Sequence, residues 1–459
     1  MILRAVAALF LLAPALRSQD SDLAGRIQQL IAAIPEIGRA HLGYEVVDLD
    51  SKTVLASQLS NGFFTPASND KLYTTSLALD RLGPGYRFIT ELRTDPVRGL
   101  ELVGGGDPNL SGRILPYDVA AKDDDPLAVL RGFAAQLWAA GIREINGDVA
   151  GVSSRYPNHL YPDGWELDDT LYGYGAPVSA LALNDNTVTL LLHPTQIGAL
   201  ADIQAIPAFP HLIILNTVLT TGGGHAELHV ARQPGSNELA ISGSVGVTIP
   251  ELRADVAVDD PALFAAEGMI DALEDQGITV RGEARADYTS QPSGVVVASH
   301  VSAPLSQIIQ VINKVSQNLH AEMLLEELQH IDPALTRDSA DFSSIDGSGL
   351  ARQDLVTPDA TIRLLEQMWE GANREIWLQS LPIGGVDGTL QHRFRGISRA
   401  HRIHAKTGSL THVNALSGYV ETQNNKWLAF SVMVDQTLMP DREAREFLDR
   451  FAAQLLNAE

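Results

Sequence analysis

The chain has 459 residues, 45% of them hydrophobic and 19% charged, with a formal net charge of −23 and no cysteine. That length exceeds what one hydrophobic core organises, so two or three domains are expected, and the balanced composition excludes a disordered chain. The negative charge argues against nucleic-acid binding, which needs a basic footprint. The missing cysteines exclude disulfides, thiolate metal sites and a cysteine nucleophile.

In chain order, Arg4 precedes an apolar stretch over residues 5–16 with small residues at Ala13, Ala15 and Ser18. The stretch is too short to span a bilayer and reads as a signal peptide over 1–18, so export to the periplasm or cell wall is expected. No later run approaches spanning length. Residues 43–48 and 53–59 read as a β-hairpin about the turn 49–52. Pro66 then opens a helical pattern over 68–82, with Leu72, Leu79 and Leu82 at helical spacing and Gly83-Pro84 ending it.

Further on, 137–142 and 273–278 each read as a helix ending at glycine, followed by a strand and a second glycine, Gly147 and Gly282. This faint duplication flanks a strand-rich stretch, with strands expected at 188–192, 211–219, 228–231 and 239–247. Near the end, strands are expected at 402–410, 413–420 and 427–434, before an amphipathic helix over 443–456. Both ends thus carry material for a single antiparallel sheet. The expected class is α+β, with 19–90 and 293–459 forming one discontinuous domain. An inserted domain covers 91–186 and 256–292, and a nested strand-rich domain covers 187–255.

Chemistry concentrates in three short motifs. The chain has only six lysines, and Ser68-Asn69-Asp70-Lys71 is the single serine–lysine pair at that spacing. It falls in the first turn of the expected helix, where residues three apart share a face and the amide groups favour an anionic centre. Ser316-Gln317-Asn318 is the single S-x-N. Lys406-Thr407-Gly408 is the single K-T-G and lies on an expected strand.

Together these motifs resemble the serine penicillin-binding proteins. The wide gap between Ser68 and Ser316 is similar to that in the low-molecular-mass class C type, the D-Ala-D-Ala carboxypeptidase/endopeptidases of peptidase family S13. Gly106-Asp107-Pro108, Gly164-Trp165, Gly175-Ala176-Pro177, residues 183–186 and residues 346–350 extend the likeness to nearly the whole mature chain. It implies a penicillin-binding/β-lactamase-like transpeptidase domain, an antiparallel sheet with helices on both sides, carrying nested insertions. The implied activity is hydrolysis of peptidoglycan stem peptides or cross-links through an acyl-enzyme on Ser68, with β-lactam antibiotics as inhibitors.

The residues agree with that chemistry. A serine hydroxyl needs a base to become a nucleophile, and Lys71 is nearest by helix geometry. At an ordinary pKa near 10.4, roughly one lysine in a few thousand is neutral at pH 7. Burial and a second cation such as Lys406 must therefore contribute on the order of 4 kcal/mol. Ser316 would relay a proton to the leaving amine, and Asn318 would orient Lys71 and the substrate amide. Lys406, Thr407 and Ser409 would receive the terminal carboxylate, with Gly408 allowing close approach of the substrate backbone. The amides of Ser68 and Ser409 would form the oxyanion hole. Arg352 is a candidate carboxylate contact. Trp165, Asp168 and Tyr172 are candidates to line the cleft, with Asp168 or Asp169 meeting a stem-peptide amine. Gln317 stands where this motif commonly has aspartate, and Ser409 where threonine is usual.

The histidines form no convincing metal set and no H-E-x-x-H is present, so neither metal nor cofactor is expected. Two competing readings are a β-lactamase, for which no E-x-x-L-N segment lies between Ser68 and Ser316, and a non-catalytic cell-wall-binding scaffold.

Overall fold

A computed structural model describes residues 23–95, 99–121, 125–233 and 235–458. The expected signal peptide lies outside the described residues. The two chain ends meet in one five-stranded antiparallel sheet, ordered Ile403–Leu410, Val413–Glu421, Trp427–Asp435, His41–Asp48 and Thr53–Gln58. The join is the pairing of His41–Asp48 with Trp427–Asp435. In that last strand every residue after Trp427 is buried, because helices cover both faces of the sheet and leave no side for alternating polar residues.

On one face, the helices Leu23–Ala32 and Asp441–Leu455 press Ile27, Phe447, Phe451 and Leu455 against Tyr44, Val46, Phe430 and Val432. On the other, Asp70–Arg81, Leu305–Lys314, Asn318–Ile331 and Pro358–Glu370 share a second core with Tyr419 and Ala429. Between the two cores, the sheet fixes the height at which the edge strand Ile403–Leu410 meets the start of Asp70–Arg81.

The middle of the chain forms a second five-stranded sheet, ordered Ala284–Asp287, Val149–Val152, Gly99–Val103, Ile89–Asp95 and Val295–Val301. The two similar helix–glycine–strand units pack side by side. Thr279–Val280 pairs in parallel with Glu144–Ile145, and Ala284–Asp287 with Val149–Val152. Gly282 permits this contact, since a Cβ there would sit 2.5 Å from the Asp148 amide nitrogen.

Val295–Val301 pairs antiparallel with Ile89–Asp95, so this sheet runs from 89 to 301 and overshoots the boundaries at 91 and 292 drawn from sequence. Nothing local in a valine-rich run says which distant sheet it joins. The nested stretch makes two three-stranded sheets, one holding Asp202–Ile206, a strand absent from the sequence expectation. One hydrophobic cluster runs from Phe133 and Phe264 through Val188 to Val218 and Ile241. The nested strands therefore share a core with the helices beneath them.

Among the described residues no helix is long and apolar enough to cross a membrane. Phe430 is fully buried at the centre of the first sheet. Phe430→Ala is expected to cost about 3–5 kcal/mol of stability, read as a lowered midpoint in urea unfolding; an unchanged midpoint would contradict the two-faced burial.

Candidate active site

Pro66 leads into a single 3₁₀ turn, Ala67–Asn69, that continues directly as the helix Asp70–Arg81. Ser68 and Lys71 thereby stand one turn apart on one face, and the Lys71 amine donates to Ser68 Oγ at 3.0 Å. Ala67 holds left-handed backbone, φ 46°, which an L-residue adopts only at a cost of order 1–3 kcal/mol. Two glycines press on this turn. A Cβ on Gly349 would lie 1.8 Å from the Ala67 carbonyl oxygen, and one on Gly408 2.6 Å from that of Pro66. Gly408 thus admits the protein's own backbone, in addition to any space it offers a substrate.

Lys71 is fully buried, and its amine also donates to Asn318 Oδ1 at 2.6 Å and to the Ser348 carbonyl at 2.7 Å. Asn318 begins the helix Asn318–Ile331, and Gln317 caps that helix by accepting from the Leu319 amide. The Gln317 carboxamide also donates to Asp185 Oδ2 at 2.7 Å, in the 183–186 segment noted from sequence. An aspartate at 317 would set two carboxylates against each other, so glutamine suits this neighbour.

Lys406, also fully buried, donates to Ser316 Oγ and to the Thr407 carbonyl, both at 2.8 Å. Ser316 too is left-handed, φ 64°, which turns the chain between the helices Leu305–Lys314 and Asn318–Ile331. Thr407 Oγ1 meets Thr389 Oγ1 at 3.0 Å, and Ser409 Oγ donates to Asn414 Oδ1 at 3.2 Å.

Burial brings the Lys71 amine down to about 8, against the opposing pull of the Asp346, Glu322 and Asp70 carboxyls. Burial, reinforced by the charge of Lys71, holds Lys406 well below the ordinary lysine range. Asp346 accepts from the amides of Ser348, Gly349, Leu350 and Ala351 at 2.7–3.2 Å and from Trp165 Nε1 at 2.8 Å. That set of donors folds the loop presenting the Ser348 carbonyl to Lys71. Burial, with the charges of Asp346 and Asp70 beside it, pushes the Asp354 carboxyl up to about 10. Asp70, fully buried, takes both its bonds from Arg337 at 2.8–2.9 Å.

A cavity of about 630 Å³ opens at Ser68, Ser316, Asn318 and Ser409. Arg352, Glu166, Asp169 and Tyr174 line it as well. Arg352 donates to Glu166 at 3.0 Å and to the Thr411 carbonyl at 3.1 Å, so it bridges the inserted region and the sheet. Trp165 is spent on Asp346 and does not line the cavity; the adjoining Asp169 does, with Asp168 beside it in a carboxylate cluster with Glu166. Tyr172 stacks behind Tyr174 with centroids 5.7 Å apart. Sequence reasoning missed Tyr174, whose carbonyl accepts from Asn318 Nδ2 at 2.7 Å, and Glu322, four residues after Asn318 on the same helix face. The second was findable from that spacing.

An antiparallel sheet flanked by helices, with a serine hydroxyl against a buried lysine at its edge, defines a serine-type hydrolase of the penicillin-binding fold. The chain belongs to the D-Ala-D-Ala carboxypeptidase 3 (S13) family, which it matches over residues 23–455. It is 32% identical over 464 residues to a D-alanyl-D-alanine carboxypeptidase of Actinomadura sp. (strain R39), covering 92% of this chain and 83% of that protein. It is 24% identical to D-alanyl-D-alanine carboxypeptidase DacB of Haemophilus influenzae, covering 91% and 90%. The crystal structure of penicillin-binding protein 4 (dacB) from Haemophilus influenzae superimposes with a TM-score of 0.78 at 23% identity, covering 94% of this chain and 99% of that one.

Breaking the buried Asp70–Arg337 pair gives a test of the site's foundation. Arg337→Met is expected to lose about 3–5 kcal/mol in urea unfolding, and the double change with Asp70→Asn to recover part of it. Equal losses in the single and double variants would contradict the pairing.

Proposed function

We propose that this chain is an exported serine D-Ala-D-Ala carboxypeptidase/endopeptidase acting on peptidoglycan stem peptides or cross-links, with Ser68 as nucleophile and Lys71 as its base. The observation that carries the reading is the set of partners around the Lys71 amine. A neutral amine has two N–H bonds and one lone pair. The carbonyls of Asn318 and Ser348, at 2.6 and 2.7 Å, take the two N–H bonds, and the lone pair is left for the Ser68 hydroxyl at 3.0 Å.

Lys71 removes the Ser68 proton as Oγ bonds to the substrate carbonyl carbon. The amides of Ser68 and Ser409 would hold the oxyanion, where one donor typically contributes about 3–4 kcal/mol. The tetrahedral intermediate collapses when the C–N bond breaks, the proton taken up by Lys71 passing by way of the Ser316 hydroxyl to the leaving amine, so that Lys71 is neutral again while Lys406 holds the Ser316 hydroxyl. Water then enters as the second nucleophile and loses a proton to the same base, which returns it to Ser68 Oγ as the acyl–oxygen bond breaks. Thr407, Gly408 and Ser409 receive the substrate along the edge strand. Arg352 and the acids at 166–169 flank the acyl side, where an amine on the stem peptide finds its countercharge.

Acylation by penicillin belongs to this reading, since the β-lactam amide presents the same carbonyl; penicillin-binding protein 4 (dacB) from Haemophilus influenzae has been solved in complex with a β-lactam. Export follows from the expected leader at 1–18.

Fluorescent penicillin is expected to label the protein at residue 68, with no label on Ser68→Ala. Label that persists in Ser68→Ala would overturn the assignment, and rapid turnover of a chromogenic β-lactam would favour the β-lactamase reading. Because the base works only when neutral, the acylation rate should rise with pH through about 8 and then level. Lys71→Met should slow acylation by about 10²–10⁴-fold. A flat profile, or a Lys71→Met rate near that of the parent, would contradict the role of this amine.

A further inference from the structure

A second compartment, of about 300 Å³, opens off the same Ser68, Ser316 and Ser409 hydroxyls. Its remaining walls are Thr389, Thr407, Arg393 and Arg445, and among the described residues no carboxylate lines it. The larger cavity, which shares Arg445 and also holds Arg352, carries in addition the acids Glu166, Asp169 and Asp441. A peptide whose scissile carbonyl sits at Ser68 must send its two halves in different directions. In a protein of net charge −23, an anionic end is drawn to the compartment with two guanidinium groups and no acid.

The two arginines are held differently. Arg393 is largely buried; its Nη2 lies 2.7 Å from Asp449 Oδ1 and donates to the Arg445 main-chain carbonyl at 3.0 Å. It therefore fixes the turn of the helix Asp441–Leu455 from which Arg445 projects. Arg445 is roughly half exposed and donates from one nitrogen to Asp441 Oδ2 at 2.7 Å. Its other donors make no hydrogen bond among the described residues and are available to a ligand. A guanidinium presents several donors in a planar fork that matches a carboxylate.

We propose that Arg445 binds the α-carboxylate of the leaving residue, with Arg393 as its positioning residue, so that the smaller compartment is the leaving-group site and selects peptides ending in a free carboxylate. This rests on the reading of Ser68 as nucleophile. It adds a cation from the C-terminal helix to the hydroxyls of the edge strand, and it assigns the carboxylate to a different arginine from Arg352.

The test compares kcat/KM for a peptide ending in D-Ala-D-Ala with that for the same peptide ending in the carboxamide. The parent should prefer the acid. Arg445→Gln should shrink that preference by about 10- to 100-fold, the size of a lost hydrogen bond to a charged group, mainly through KM, with Arg445→Lys restoring part of it. Arg393→Gln should shrink it to a lesser degree. An acid-to-amide ratio unchanged in Arg445→Gln, in a protein whose unfolding midpoint matches the parent and whose Ser68 is fully labelled by penicillin at long times, would overturn the proposal. Absence of label at Ser68 in the parent as well would instead bring down the reading of Ser68 on which it rests.

Discussion

The arrangement depends on hiding one lysine amine from water. An unpaired charged amine in the interior costs several kcal/mol, so burial is tolerated only if the group is neutral or every proton finds an acceptor. Around Lys71 the hydrogen-bond partners come from three segments far apart in the chain: the turn at Ser68, the helix start at Asn318 and the loop carbonyl of Ser348. Satisfying this single amine ties those segments together. The rest of the core supplies the rigid backing, with the five-stranded sheet on one side and the Asn318–Ile331 helix on the other.

The inserted region takes part in this arrangement as well as extending the cleft. Tyr174 accepts from the same Asn318 whose oxygen faces Lys71, and Trp165 donates to the Asp346 that folds the Ser348 loop. Deeper along the same helix, Glu327 receives Arg155 at 2.7–2.8 Å and both Tyr86 and Tyr156. Asp185 accepts from Arg113 and meets His320 at 2.8 Å, a pairing that keeps its carboxyl well below the ordinary range. The insert is thus bolted to the helix that carries Asn318 by buried charge pairs, where loss of one partner is costly.

Much of the site was legible in the sequence because its motifs are rare in this chain. Six lysines in 459 residues make a serine three before one of them informative, and the unique K-T-G falls on a strand followed closely by the apolar run 427–434. The closing hairpin and final helix were likewise readable from local pattern. Non-local pairing was not. Residues 295–301 look like any valine-rich strand, and only the Ile89–Asp95 partner assigns them to the second sheet. Trp165 and Arg352 were expected at the cleft from their neighbourhood in the chain, but their partners Asp346 and Glu166 lie nearly two hundred residues away in each case. Arg445 sits on a helix whose sequence reports only its amphipathic face.

The central claim is that Lys71 is a buried amine poised to be neutral near physiological pH. With so few lysines, direct titration by nitrogen-15 resonance of the side-chain amines is tractable, the Lys71 signal being assigned by its absence in Lys71→Met. The account predicts a midpoint near 8 for that signal. A midpoint at the ordinary value near 10.4 would contradict it.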